Sequence, residues 1–116
     1  MNEIGENEGL GFNFNFPIDN SFNSNKYLEV YEQELKKIIR WNNPDLIIVS
    51  LGFNIIKGDI EVKSPINFED FKTIINYIYN YTSEIKTVFS FEGGNKLDNV
   101  IKGTEYIISK YLTKKE

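Results

Sequence analysis

The sequence predicts an α/β domain, a parallel β-sheet with flanking helices in the order β-α-β-α-β-α. Two short runs carry the sheet, Leu46-Ile47-Ile48-Val49-Ser50-Leu51 and Thr87-Val88-Phe89-Ser90-Phe91, and both are rich in branched or aromatic side chains. Three longer stretches repeat apolar residues at helical spacing. Strands alternating with helices imply parallel pairing through right-handed crossovers, with the helices on the sheet faces.

The first element is Gly11-Phe12-Asn13-Phe14-Asn15-Phe16-Pro17-Ile18, in which apolar and polar residues alternate. That period of two predicts a strand with one buried face, ended by Pro17. Residues 19–25 read as a polar loop, and Ser24 or Asn25 is placed to cap the next helix. The apolar stripe of that helix is Tyr27, Leu28, Tyr31, Leu35, Ile38 and Ile39. Asn42-Asn43-Pro44 ends it, because the residue before proline is pushed out of the α region. The run 46–51 is apolar without alternation, which predicts a central strand buried on both faces.

After a loop through Lys63-Ser64-Pro65, Asn67 is placed to cap a second helix. Glu69 and Asp70 in its first turn suit the positive end of the dipole, and Phe68, Phe71, Ile74, Ile75 and Ile78 form its stripe. Strand 87–91 leads into Gly93-Gly94. A last helix is expected from about Leu97 to Leu112, with Leu97, Val100, Ile101, Ile107, Ile108, Tyr111 and Leu112 on its buried side. Gly103 is expected to weaken it slightly. Residues 1–8 are expected to be flexible, and Lys114-Lys115-Glu116 to form a solvated tail.

The totals narrow the function. A chain of 116 residues supports one domain with a modest core. With no Cys there are no disulfides or thiolate metal sites, and with no His the commonest metal ligand and proton shuttle is missing. A net charge of −4 disfavours a nucleic-acid surface. No apolar run reaches the length of a membrane span, and the acidic start lacks the features of a secretory signal. The expected setting is intracellular, cytoplasm or nucleus, with neither nucleic acid nor membrane as partner.

Four segments, taken in order, carry a resemblance. They are Gly9-Leu10-Gly11-Phe12-Asn13-Phe14-Asn15-Phe16-Pro17-Ile18, Asn43-Pro44-Asp45-Leu46-Ile47-Ile48-Val49-Ser50, the loop Ser50-Leu51-Gly52-Phe53-Asn54-Ile55-Ile56-Lys57-Gly58-Asp59, and Phe91-Glu92-Gly93-Gly94-Asn95-Lys96-Leu97. Phe68-Glu69-Asp70-Phe71 adds a helix start. Together these resemble the C-terminal portion of the histone deacetylase and acetylpolyamine amidohydrolase family, which has the arginase/deacetylase fold. In that family the zinc loop reads S-x-G-x-D-x-x-x-x-D and the tyrosine loop E-G-G-Y or G-G-G-Y.

The resemblance implies a single partial domain over residues 1–116 and a zinc-dependent amide hydrolase as ancestor. It puts Asn54 at the zinc-aspartate position and Asn95 at the position of the transition-state tyrosine. A carboxamide is a poorer zinc ligand than carboxylate or imidazole, and Asn95 is too short to reach where the phenol would. No catalytic or metal-binding residue is therefore expected in this chain, and no cofactor, although the family uses zinc. Gly52, Phe53, Asn54, Asp59, Glu92, Gly93, Gly94 and Asn95 are read as remnant pocket loops. Within them Asn54 and Asn95 are read as turn residues, and Asp59 as fixing its loop by hydrogen bonds.

The expectation is a truncated, catalytically inactive relative. The runner-up is an interaction module that pairs with a complementary N-terminal deacetylase half, or self-associates, through open strand edges. A small α/β domain binding an anion at Gly93-Gly94 is a third reading.

Overall fold

A computed structural model of the protein describes residues 2–18 and 21–113. Its elements are α1 (Ser24–Asn42), β1 (Leu46–Leu51), α2 (Phe68–Tyr81), β2 (Lys86–Phe91) and α3 (Leu97–Leu112), with short 3-10 turns at Asn7–Gly9 and Phe53–Ile55. β1 and β2 pair in parallel, in a register running from Leu46 opposite Lys86 to Leu51 opposite Phe91. The α/β class with a parallel sheet is thus the observed one.

The expected first strand is absent. Residues 12–18 belong to neither sheet nor helix, and among the described residues the sheet has two strands. Alternation makes a ribbon amphipathic, but a strand also needs a neighbour for its backbone groups. Here the segment lies along α1, where Phe14, Phe16 and Ile18 wall a groove of about 360 Å³ with Tyr27, Tyr31 and Leu35. Upstream, residues 2–8 accept hydrogen bonds from the residues that follow: Gly9 donates to Glu6 O at 2.8 Å, and the Asn13 and Asn15 amides donate to Glu3 O. The tail Lys114–Glu116, like Asp19 and Asn20 of the polar loop, lies outside the described residues.

α1 is capped by Asn23, whose side chain accepts from Lys26 N at 2.9 Å. The expected caps Ser24 and Asn25 are already helical. At the other end Asn43 takes a left-handed conformation (φ 42°) and its N–H donates to Ile39 O. α2 opens with the expected cap, completed to a reciprocal box: Asp70 N donates to Asn67 Oδ1 at 2.8 Å, and Asn67 N to Asp70 Oδ2 at 3.0 Å.

The core joins Phe71, Ile74, Ile75 and Ile78 of α2 and Ile107 of α3 to Leu51, Phe53, Ile56 and Ile66, with Val49 and Phe89 of the sheet packed against them. β1 is covered on one face only, since Leu46 and Ile48 are exposed, as is Val88 beside them. Burial on both faces is therefore corrected: no described element covers the second face. α3 also sits differently from its expected stripe. Leu97, Ile101, Ile108 and Leu112 are exposed, while Asn99, Gly103 and Ile107 are buried. The reason is Gly103, which draws its own side of the helix against the core.

Candidate functional site: the paired loops at the sheet end

The two loops expected to form the pocket remnants leave the C-terminal ends of neighbouring strands. Parallel pairing carries past the strands into them. Glu92 N donates to Leu51 O at 2.9 Å, and Phe53 N to Gly93 O at 2.8 Å. Gly52, Phe53 and Asn54 are thereby held against Glu92, Gly93 and Gly94.

Phe53 anchors the first loop. It is 1% exposed, and its ring meets those of Phe71 and Phe91 at centroid distances of 5.8 and 5.0 Å. Two glycines make room for it. At Gly94 (φ +141°) an added Cβ would lie 2.9 Å from Phe53 Cβ and 3.0 Å from Val100 Cγ2. At Gly103 it would overlap the ring itself, with Cδ1 at 2.7 Å. Neither space nor backbone tolerates a side chain at Gly94.

Asn54 follows in the 3-10 turn Phe53–Ile55. Its carboxamide lies over Gly52 and faces Gly93. Among the described residues it makes no hydrogen bond, and it occupies a turn position as expected. Glu92 is exposed and accepts from Ser90 Oγ at 2.9 Å.

Asp59 ties the loops together. Its Oδ2 accepts from the backbone N–H of Asn95 at 2.8 Å and of Lys96 at 3.3 Å, and its Oδ1 accepts from Glu61 N at 3.0 Å and the Asn95 amide at 3.3 Å. The backbone amide of Glu61, and after it that of Asn95, hold the Asp59 carboxyl below the usual carboxylate range. The Asn95 and Lys96 amides sit just before α3, where the helix dipole also favours negative charge. The chain's own carboxylate thus stands where an external anion would bind behind Gly93-Gly94.

The zinc that the resemblance implies does not fit these donors. Zinc sites use imidazole, thiolate or carboxylate, usually three or more together. At the loop ends the donors are a neutral carboxamide at Asn54, the Glu92 carboxylate that accepts from Ser90 Oγ, and a carboxylate at Asp59 whose oxygens already accept four N–H groups. Among the described residues no group of three or more His, Cys, Asp or Glu is placed to hold a metal ion. Asn95, exposed and bonded to Asp59, has no acidic proton to offer in place of a phenol.

Sequence reasoning brought the right loops together and missed Gly103 as part of their support. The available signal was a glycine in a helix interior, a position that can mark a close approach as well as a weak point.

Known proteins share sequence with this chain. Residues 1–111 match the model of the histone deacetylase domain. Histone deacetylase 5 of Arabidopsis thaliana is 28% identical over 99% of this chain and 17% of its own length. Histone deacetylase 8 of Xenopus laevis is 23% identical over 92% of the chain and 32% of its own length. The acetylpolyamine amidohydrolase of Burkholderia pseudomallei is 26% identical over 84% of the chain and 28% of its own length. The chain spans less than a third of the length of each of these relatives.

Proposed function

The chain belongs to the histone deacetylase domain family, and on that premise we propose that it is a catalytically inactive scaffold of the zinc-site end of that domain. The family relatives carry names for removing acetyl groups from histones and polyamines, and that amide hydrolysis is the ancestral chemistry we assign. The observation that carries the reading is the state of the two loops. A hydrolytic metal needs three protein ligands and an open position for water, while Asn54 offers a carboxamide and Asp59 spends its carboxylate on backbone amides. Asp59, Phe53 and the glycines hold the loops in shape.

A second reading is favoured by the exposed sheet face: the chain works as a module that pairs with a complementary deacetylase portion inside the cell. It shares the first reading's view that the chain alone does no hydrolysis. The test is equilibrium dialysis of the purified chain against zinc, with an acetate-release assay on an acetyl-lysine peptide and an acetylated polyamine. Neither zinc uptake nor acetate release is expected. Stoichiometric zinc, or acetate release abolished by a chelator, sinks the proposal.

A further inference from the structure

The last turns of α1 carry a basic and aromatic patch on a chain whose net charge is −4. Gln33, Lys36, Lys37 and Arg40 recur at the spacing of one helix face, and with Trp41 they wall a shallow groove of about 350 Å³. A second groove, of about 300 Å³, shares Lys36 and Arg40 with the first and is walled by Tyr81 of α2 as well. Trp41 is the single tryptophan of the sequence. It is 68% exposed, although tryptophan is highly buried on average, and Phe14 steadies it from one side at a ring distance of 6.5 Å.

The three cations are not equally free. Lys36 pairs with Glu32 at 3.4 Å and lies over the Tyr81 ring at 4.9 Å, while the Tyr81 hydroxyl donates to the same Glu32 at 2.6 Å. Lys37 pairs with Glu34 at 2.7 Å. Arg40 makes no ion pair among the described residues. Its place in the last turn suits the negative end of the helix dipole, which accounts for a cation there but not for an uncovered indole beside it. Arg and Trp are among the side chains most enriched at interface centres.

A guanidinium grips one carboxylate through two parallel N–H donors, and an indole offers a rigid apolar plate. One unpaired fork beside one open plate therefore fits a single carboxylate with an apolar neighbour. A nucleic acid or other polyanion calls for several unpaired cations in a row, and the net charge of −4 repels it at long range. We propose that this patch docks a short acidic segment of another protein, with an Asp or Glu carboxylate on the Arg40 guanidinium and an adjacent aliphatic side chain on the Trp41 ring. The proposal stands apart from the scaffold reading, since neither residue belongs to the paired loops.

The experiment titrates the full chain with a blocked peptide in which Glu alternates with Leu, and follows Trp41 fluorescence. A saturable change in emission is expected. Arg40→Gln should weaken binding about tenfold or more, as for a residue at an interface centre, and Arg40→Lys about threefold, because it keeps the charge and loses the fork. Trp41→Leu, read by calorimetry since it removes the fluorophore, should also weaken binding about tenfold. Lys26→Gln, at the far end of α1, should leave binding unchanged, with circular dichroism checking that every variant retains its helices. The same peptide with Gln in place of Glu should not bind. The absence of a saturable change, equal binding of the Gln peptide, or no effect of Arg40→Gln overturns the proposal. Tighter binding of a thymidine oligonucleotide than of the acidic peptide overturns it in favour of a polyanion surface.

Discussion

The carboxylate of Asp59 accepts the backbone N–H of Asn95 at 2.8 Å, joining two loops that lie 36 residues apart in sequence. Further bonds from Glu61, Lys96 and the Asn95 amide make it the tie between the strand ends. Its carboxyl is held below the ordinary 3.8, so the sign of its pH effect is fixed. Its contribution is complete above that ordinary value and is lost as pH falls through the lower folded one. Asp59→Ala should lower the thermal midpoint at neutral pH, and Asp59→Asn should do so less. In both, the difference from wild type should shrink as pH falls below about 4. A difference that stays constant well below that pH would mean that the charge is not what binds the loops.

Gly103 is the second support, and two principles disagree about it. Helix propensity says that Gly103→Ala should stabilise by about 1 kcal/mol. Packing says the opposite, because the new Cβ would overlap the Phe53 ring and lie 3.3 Å from Phe71 Cε1. Overpacking a core costs about 1–3 kcal/mol, and both rings are fully buried, so packing should win. Urea denaturation is expected to show a lower midpoint for Gly103→Ala, and the addition of Phe53→Leu should cost less in that variant than in wild type. A stabilised Gly103→Ala would show that α3 can shift away from Phe53.

The capping box at α2 gives a cleaner magnitude. Asn67 and Asp70 each satisfy the other's backbone N–H, at the start of the helix that supplies Phe71, Ile74, Ile75 and Ile78 to the core. Asn67→Ala should cost about 1 kcal/mol in urea denaturation, and Asn67→Ser or Asn67→Asp much less. Equal losses for all three would place the effect elsewhere than in the cap.

How much of this was readable beforehand depends on whether a feature is local. The Asn67 cap, the α2 stripe and both paired strands rest on residues a few positions apart, and the structure places them as expected. The pairing of the Asn54 and Gly93 loops was legible too, because adjacent parallel strands deliver their C-terminal ends to the same edge. What failed was non-local. The Phe/Asn alternation of residues 12–18 encodes an amphipathic ribbon, but whether it finds a strand partner depends on other segments, and here it packs on α1. The apolar run of β1 likewise encodes a need for two covers, and the described chain supplies one. Gly103 was read through propensity alone, when the deciding quantity was its distance from Phe53, a residue 50 positions away in sequence.

On α1, beneath the 12–18 segment, burial and then the nearby Tyr27 push the Tyr31 hydroxyl up to about 12. A raised folded value favours the neutral form, so the stabilisation is intact below the ordinary 10.0 and is lost as pH rises toward 12. Tyrosine difference absorbance should show a late-ionising component, and Tyr31→Phe should remove it while shifting the onset of alkaline unfolding upward. Ionisation of every tyrosine near the ordinary value, with the helices still folded, would contradict the burial of this ring by the segment above it.

The last prediction concerns what restoring single residues cannot do. Asn54→Asp returns a carboxylate to the zinc-aspartate position, yet one free carboxylate is a weak ligand set, and Asp59 stays bonded to Asn95, Lys96 and Glu61. Asn95→Tyr returns a phenol to its loop, yet it breaks the amide contact to Asp59 and meets no metal-polarised carbonyl. Neither variant, nor the double variant, should release acetate from an acetylated amine above the uncatalysed background, or take up zinc stoichiometrically in dialysis. Asn54→Asp should leave thermal stability near wild type, because the Asn54 carboxamide makes no hydrogen bond among the described residues, whereas Asn95→Tyr should lower it through Asp59. Zinc-dependent acetate release by the double variant would show that the remaining ligands come from residues of this chain outside the two loops, and the scaffold reading would then fail.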